Sequence, residues 1–219
     1  MELCMDIGQI HRSGWCEFDV GDISNLSEEL LRVGKLLGEP SVQRKSVGIV
    51  QELIPTTPNR GFQSSLTAKY STGPFPLHVD TAHWLTPCRY LILGCLDEGD
   101  SGRDTVIVDF GNIKLTDKER SVLLQTPFKI TNGRNSFYGT ILSKDRDFIR
   151  YDPGCMTQTV KVEIDIESIF SYERTAEIQS KVRWKTGKIV VIDNWRMLHG
   201  RCEKKTEGTE RTLYRVVVT

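Results

Sequence analysis

The chain has only four histidines, His11, His78, His83 and His199, so a metal centre built on imidazole must draw on a short list. In GPFPLHVDTAHW, His78 and Asp80 stand two residues apart. On an extended strand, residues two apart leave from the same face, so an imidazole and a carboxylate there can grip one ion. His199, in VVIDNWRMLHGR at the end of a second strand-like run, supplies a third candidate ligand. Two imidazoles and one carboxylate on one side of an ion leave three positions open, the ligand set of non-haem Fe(II) centres that take up a co-substrate and dioxygen. The dyad alone says little, because four histidines and this chain's acidic content give about 0.5 His-x-Asp/Glu pairs by chance.

Its neighbourhood adds information. Arg211 and Arg215, in RTLYRVVVT, follow His199 by twelve and sixteen residues; four apart on a predicted strand, they share a face. Two inward-facing guanidiniums are costly to bury without anionic partners, and a planar guanidinium presents two parallel N–H donors that match a carboxylate fork. A dicarboxylate is one such partner.

These residues must be carried by a framework that is mostly strand. SVGIVQEL, RYLILGCL, TVIVDF, SFYGTIL, FIRYD, VKVEI, KIVVID and LYRVVV are short, rich in β-branched or aromatic residues, and bounded by turn formers or lysine. LSKDRDF fits a hairpin turn with Lys144, Asp145 and Arg146 at its tip. Three helices are predicted. In the first, Leu26, Leu30, Val33 and Leu37 recur at helical spacing, with Asn25 and Glu28 as cap signals and Gly38 and Pro40 as stops. In the second, Thr116 and Glu119 form a capping box; the third lies between Asp165 and Val182. Strands and helices do not alternate, so a mainly β fold with flanking helices, a double-sheet jelly roll, is expected over one domain spanning residues 1–219.

The run GKIVVIDNWRMLHGR followed by R-x-x-x-R, together with FPLHVDTAHW, PCRYLILGC and GRDTVIVDF upstream, resembles the Fe(II)/2-oxoglutarate-dependent oxygenases of the taurine dioxygenase and clavaminate synthase-like superfamily. The resemblance covers roughly Ser65 to Thr219. It implies a double-stranded β-helix, the cupin-like jelly-roll variant, and the cofactors Fe(II), 2-oxoglutarate as co-substrate, and O2. It also implies that His78, Asp80 and His199 are the iron ligands, that Thr105 and Arg211 hold the distal carboxylate of 2-oxoglutarate, and that Arg215 faces the substrate. Arg150 and Asp152, in FIRYDPGCM, resemble a substrate segment of amino-acid oxygenases in the superfamily. Facing the barrel, they would hold the carboxylate and amino group of an amino-acid-like substrate; a structural ion pair at a strand end is the alternative. Tyr70 and Ser71 are loop candidates for lining the pocket by position. His83 and Trp84 either line its mouth or pack. Asn194 is expected to satisfy backbone groups at the turn into the metal strand, Arg196 to form a salt bridge outside the pocket, and His11 to lie on the surface.

The activity implied is a dioxygenase that decarboxylates 2-oxoglutarate to succinate while hydroxylating a small polar molecule such as an amino acid or carboxylate. A non-catalytic, cupin-like protein that binds or senses the metal and 2-oxoglutarate is the alternative. Composition agrees with a small-molecule partner. Lys+Arg and Asp+Glu are both 29 in 219 residues, and this balance disfavours nucleic acid. With 38% hydrophobic and 26% charged residues the chain can bury a core. The apolar stretch Tyr90–Leu96 is far shorter than the roughly 20 residues of a membrane span, so no membrane is expected. MELCMD lacks a basic and apolar leader, and the six cysteines, Cys4, Cys16, Cys88, Cys95, Cys155 and Cys202, show no metal or disulfide spacing. Reduced thiols and a cytoplasmic location follow as expectations.

Overall fold

Residues 90–95, Tyr-Leu-Ile-Leu-Gly-Cys, are buried without a break, so both faces of the strand they form must be covered by other layers. The computed structural model describes residues 6–43, 48–55, 69–145 and 147–219. The strands, in chain order, are β1 (Trp15–Asp19), β2 (Pro40–Ser41), β3 (Gln51–Leu53), β4 (Phe75–His78), β5 (Tyr90–Asp97), β6 (Thr105–Asp109), β7 (Phe128–Asn132), β8 (Asn135–Gly139), β9 (Met156–Gln158), β10 (Gln179–Val182), β11 (Lys188–Asp193), β12 (Met197–Arg201) and β13 (Thr212–Val218). The α-helices are α1 (Ile7–Ser13), α2 (Leu26–Leu37), α3 (Asp117–Gln125) and α4 (Ile166–Ile169).

The strands form a six-stranded sheet, β1-β11-β5-β13-β2 with β3 also on β13, a four-stranded sheet, β10-β6-β12-β4, and a three-stranded sheet, β8-β7-β9. Alternation along the strands sorts the side chains into three cores. Leu91, Leu93, Cys95, Val190, Ile192, Leu213 and Val217 of the larger sheet meet Ile107, Val182 and Met197 of the four-stranded one. Their neighbours Ile92, Ile189, Val191, Val216 and Val218 face away, against Ile10 of α1 and Leu26, Leu30 and Val33 of α2. On the far side of the four-stranded sheet, Val106, Val108 and Leu198 pack on Leu123, Phe128, Ile130 and Ile169. Two antiparallel sheets stacked face to face and flanked by helices are the expected mainly β, jelly-roll architecture.

The predicted periodicity of α2 holds, with Leu26, Leu30 and Val33 buried. Asn25 stands at its N-terminus but makes no side-chain capping bond. A Cβ on Gly94 would lie 2.6 Å from Leu30 Cδ1 and 3.2 Å from Leu26 Cδ1, so that glycine lets the helix lie close on β5. The capping box of α3 is present: Glu119 N–H donates to Thr116 Oγ1 at 3.2 Å and Thr116 N–H to Glu119 Oε2 at 2.8 Å.

Three expectations are corrected. The helix predicted between Asp165 and Val182 is the short α4, a single 3-10 turn at Ala176–Ile178, and then β10; the four-stranded sheet claims this segment as its edge, and that pairing outweighs local propensity. FIRYD and VKVEI are not strands; the chain instead pairs through β9 between them. The hairpin therefore lies elsewhere. β7 and β8 join through Gly133 and Arg134, with Gly133 at φ 60°, a conformation glycine adopts without steric cost, while Lys144 and Asp145 turn between irregular segments. Arg146, Cys4, Ser46, Lys45 and the residues between Thr56 and Ala68 lie outside the described residues.

Candidate functional site

In β4 and the residues following it, Leu77 and Val79 join the outer core, so His78 and Asp80 turn toward the facing sheet. The ladder between β12 and β4 sets His199 directly opposite His78. The three side chains offer one ligand atom each within 4.8 Å of one another. His78 Nε2 lies 3.6 Å and His199 Nε2 3.8 Å from the same carboxylate atom, Asp80 Oδ1, and the imidazole rings are 4.5 Å apart. All three residues are buried, at 6, 9 and 6% exposure for His78, Asp80 and His199.

Their surroundings fix which atoms face inward. His78 Nδ1 is 2.9 Å from the Pro76 carbonyl; a carbonyl only accepts, so Nδ1 carries the proton and Nε2 keeps its lone pair for an ion. Asp80 Oδ2 accepts from Arg215 Nη1 at 2.8 Å, which turns Oδ1 toward the imidazoles. Burial alone would raise the Asp80 carboxyl, but the Arg215 guanidinium and the hydrogen bonds of His199 and His78 hold it well below the usual carboxylate range. His199 is pushed down by burial and by its neighbour His78. For His78 burial also acts downward, but Asp80 and the nearby charge of Asp152 outweigh it and raise the group. A buried, ionised carboxylate beside two imidazole nitrogens is a donor set that fits a divalent transition metal.

The turn that delivers Asp80 is held from the opposite strand connection. Thr81 adopts φ 56°, a left-handed conformation that costs a β-branched residue. Asn194, between β11 and β12, brackets the preceding residue: its Oδ1 accepts from Asp80 N–H at 2.8 Å, and its Nδ2 donates to Asp80 O at 3.0 Å and Cys88 O at 2.9 Å. This is the backbone role predicted for it. Asn194→Ala leaves three buried backbone groups without that partner, so stability should fall by about 2–4 kcal/mol. A denaturant midpoint equal to wild type would contradict this.

The facing sheet contributes the arginines. Arg211 and Arg215 lie on the same side of the C-terminal strand as Leu213 and Val217, between the sheets. Arg211, 5% exposed, donates through Nη2 to Thr105 Oγ1 at 3.0 Å and through Nη1 to the Arg103 carbonyl. Trp184 Nε1 donates to the same hydroxyl at 3.0 Å. Burial, then the proximity of Arg103, pushes Arg211 down to about 10; among the described residues no carboxylate pairs with it. Arg103 itself is satisfied by Glu210 at 2.9 Å and by the Cys202 and Thr72 carbonyls. Arg215, for which a substrate contact is expected, is partnered instead by Asp80, Gln43 and, at 2.6 Å, Gln51.

The remaining candidates separate. Arg150 does not face a barrel with Asp152, because no strand forms there. Its side chain is fully buried and donates to the carbonyls of Ala82, Trp84 (2.5 Å) and Leu85 (2.7 Å). The guanidinium therefore fixes the loop after the Asp80 turn. Asp152 accepts from Gly154 N–H at 2.7 Å and is close enough to His78 to raise it electrostatically. The Tyr70 ring lies tilted, 6.2 Å from that of Phe75, whose ring is 6.4 Å from His78, so it flanks the cluster. His83 and Trp84 sit at ring distance 6.3 Å, with Trp84 packed against the inter-sheet core. Arg196 pairs with Asp109 at 2.5 Å, as predicted. Trp184, Arg103 and Arg201 escaped the sequence reading. Arg201 stands two residues beyond His199 and so shares its face, a period-2 signal; its guanidinium stacks 3.7 Å over Phe75 and donates to the Ser71 carbonyl at 2.7 Å.

Solved structures similar to the whole fold include asparagine oxygenase in complex with Fe(II), 2S,3S-3-hydroxyasparagine and succinate, with TM-score 0.76 and 18% identity, covering 96% of this chain and 77% of that one. Another is the non-heme iron oxygenase OrfP with Fe, succinate and (3S)-hydroxy-L-Arg, with TM-score 0.68, 20% identity, and 95% and 77% coverage. The chain shares the fold of these iron oxygenases. Residues 159–217 match the family model "Taurine catabolism dioxygenase TauD, TfdA family", the stretch that carries His199, Arg211 and Arg215. Mitochondrial trimethyllysine dioxygenases of Rattus norvegicus and Homo sapiens are 27% and 26% identical over 151 residues, 57% of this chain. That match spans only 36% of the length of those relatives.

Proposed function

We propose that this protein is an Fe(II)/2-oxoglutarate-dependent dioxygenase that hydroxylates a C–H bond of a small polar substrate, an amino acid or related carboxylate. The observation that carries the reading is that a metal-type ligand cluster and a guanidinium–hydroxyl pair suited to a carboxylate lie on neighbouring strands. His78, Asp80 and His199 would hold ferrous iron. In the β6–β12 ladder, Ile107 faces His199 and Thr105 faces Arg201, so Thr105 sits one two-residue step, about 6.6 Å, from the level of the metal cluster. A five-carbon diacid spans such a gap, with its far carboxylate on Thr105 and Arg211.

Bound there, iron would supply the dioxygen chemistry that couples decarboxylation of 2-oxoglutarate to succinate and CO2 with hydroxylation. The protein's own work is positioning. Arg211 and Thr105 anchor the co-substrate by charge-assisted hydrogen bonds, Asp80 presents one oxygen while Arg215 occupies the other, and the buried walls keep water away. Tyr70 and Asp152 flank the cluster and are assigned to the substrate side. The ligands named in the related structures, hydroxylated asparagine and arginine, support an amino-acid-like substrate. We assign the chain one catalytic domain and a cytoplasmic setting; the five described cysteines are unpaired, and among the described residues no helix is long and apolar enough to cross a membrane.

Anaerobic protein with Fe(II) and 2-oxoglutarate should develop a weak charge-transfer band, and oxygen should then yield succinate, faster with the correct amino acid or organic acid from a screen. Binding without succinate under any candidate would replace the enzyme reading with that of a sensor.

A further inference from the structure

Thr105 is engaged in an unusual way for a hydroxyl. Trp184 Nε1 and Arg211 Nη2 both lie 3.0 Å from its Oγ1, and neither indole nor guanidinium can accept a hydrogen bond. Both lone pairs of the oxygen are therefore used, and its single proton can only be donated onward. That proton has no acceptor among the described residues. The group is sealed, with Thr105, Arg211 and Trp184 at 4, 5 and 8% exposure, and the indole ring also lies 5.5 Å from the Arg211 guanidinium carbon.

The geometry points to Trp184 as a positioning residue for the co-substrate: by filling the second lone pair of Thr105, it makes that hydroxyl an obligate donor aimed at the distal carboxylate. The inference rests on the 2-oxoglutarate reading above and adds a residue and a polarity to it. A hydroxyl with one free lone pair could turn and meet a neutral amide or alcohol as an acceptor. With both filled, the pocket offers only donors, from Thr105 and Arg211, and selects an anion. Burial of Arg211 without a carboxylate partner, which pushes it down to about 10, is consistent with a site built to receive negative charge.

The test uses the full chain with Fe(II) under nitrogen, titrated calorimetrically with 2-oxoglutarate. Trp184→Phe keeps an aromatic ring and removes the N–H; affinity should fall roughly 3- to 10-fold, with Fe(II) affinity unchanged. Thr105→Val should also weaken binding, and Trp184→Phe added to it should cost nothing more, because the indole acts only through the hydroxyl. For 2-oxobutyrate, which lacks the distal carboxylate, wild type and Trp184→Phe should bind alike. If Trp184→Phe does not fold, benzothienylalanine at position 184, which replaces the indole N–H by sulfur at the same shape, serves in its place with the same expectations. Equal 2-oxoglutarate affinity in wild type and variant, or additive losses in the double variant, would overturn the assignment to Trp184 alone. A wild-type protein that binds Fe(II) but takes up no 2-oxoglutarate would overturn the co-substrate reading and this inference with it.

Discussion

Asp80→Ala should weaken Fe(II) binding by more than about 100-fold, beyond the 10- to 100-fold range usual for loss of an outer partner of a metal site. The carboxylate is the only anionic member of the cluster, and its Oδ1 is the atom that both imidazole nitrogens approach. Its removal also leaves Arg215, which donates to Oδ2 at 2.8 Å, as a positive charge facing the place where a cation must sit. Both effects act in the same direction. Titration of the purified variant with Fe(II), or with Mn(II) as an air-stable substitute, checks this, and wild-type affinity would remove Asp80 from the proposed ligand set. Circular dichroism should show a folded protein, since Asn194 holds the main chain of residue 80 and not its side chain.

Arg211→Ala comes second. A buried, hydrogen-bonded partner of a charged group is worth roughly 2–5 kcal/mol when truncated, so 2-oxoglutarate binding should weaken by at least about 30-fold, while Fe(II) affinity stays near wild type. Arg211→Lys keeps the charge but loses the planar fork and should recover only part of the loss. An unaltered 2-oxoglutarate titration for the alanine variant would transfer the anchor to Arg215. The structure argues against that transfer. Arg215 is already committed to Asp80, Gln43 and Gln51, whereas the partners of Arg211 are a carbonyl and a hydroxyl.

What could be read from the sequence was what depends on short periods. His78 and Asp80 share a face because they are two apart, Arg211 and Arg215 because they are four apart, and the stripe of α2 and the Thr116–Glu119 box are equally local. The chain does place these as expected. The failures are long-range. FIRYD has a strand's composition, yet its long-range backbone bonds are isolated ones to three different segments, Ile149 N–H to Trp195 O, Arg150 N–H to Ile141 O and Val79 N–H to Tyr151 O, and among the described residues no strand pairs with it. Alternation puts Arg150 on a strand that does not form, and its reach to carbonyls more than sixty residues earlier carries no local signal. The segment before Val182 reads as helix, since nothing in its sequence reports that β6 lies alongside. Trp184 gave no signal at all: its partner Thr105 is 79 residues away, and a lone tryptophan reads as packing. The Asn132–Gly133 dipeptide is a legible hairpin signal.

The pairing of His199 with His78 across one ladder, with β12 also joined to β6 on its other edge, separates the proposed metal centre from small domains whose metal gathers its own ligands and without which they unfold. Here main-chain hydrogen bonds hold the chelating claw half shut before any ion arrives. Removing the proposed iron is therefore expected to abolish the proposed activity without melting the protein, leaving a dormant scaffold that recharges whenever ferrous iron returns.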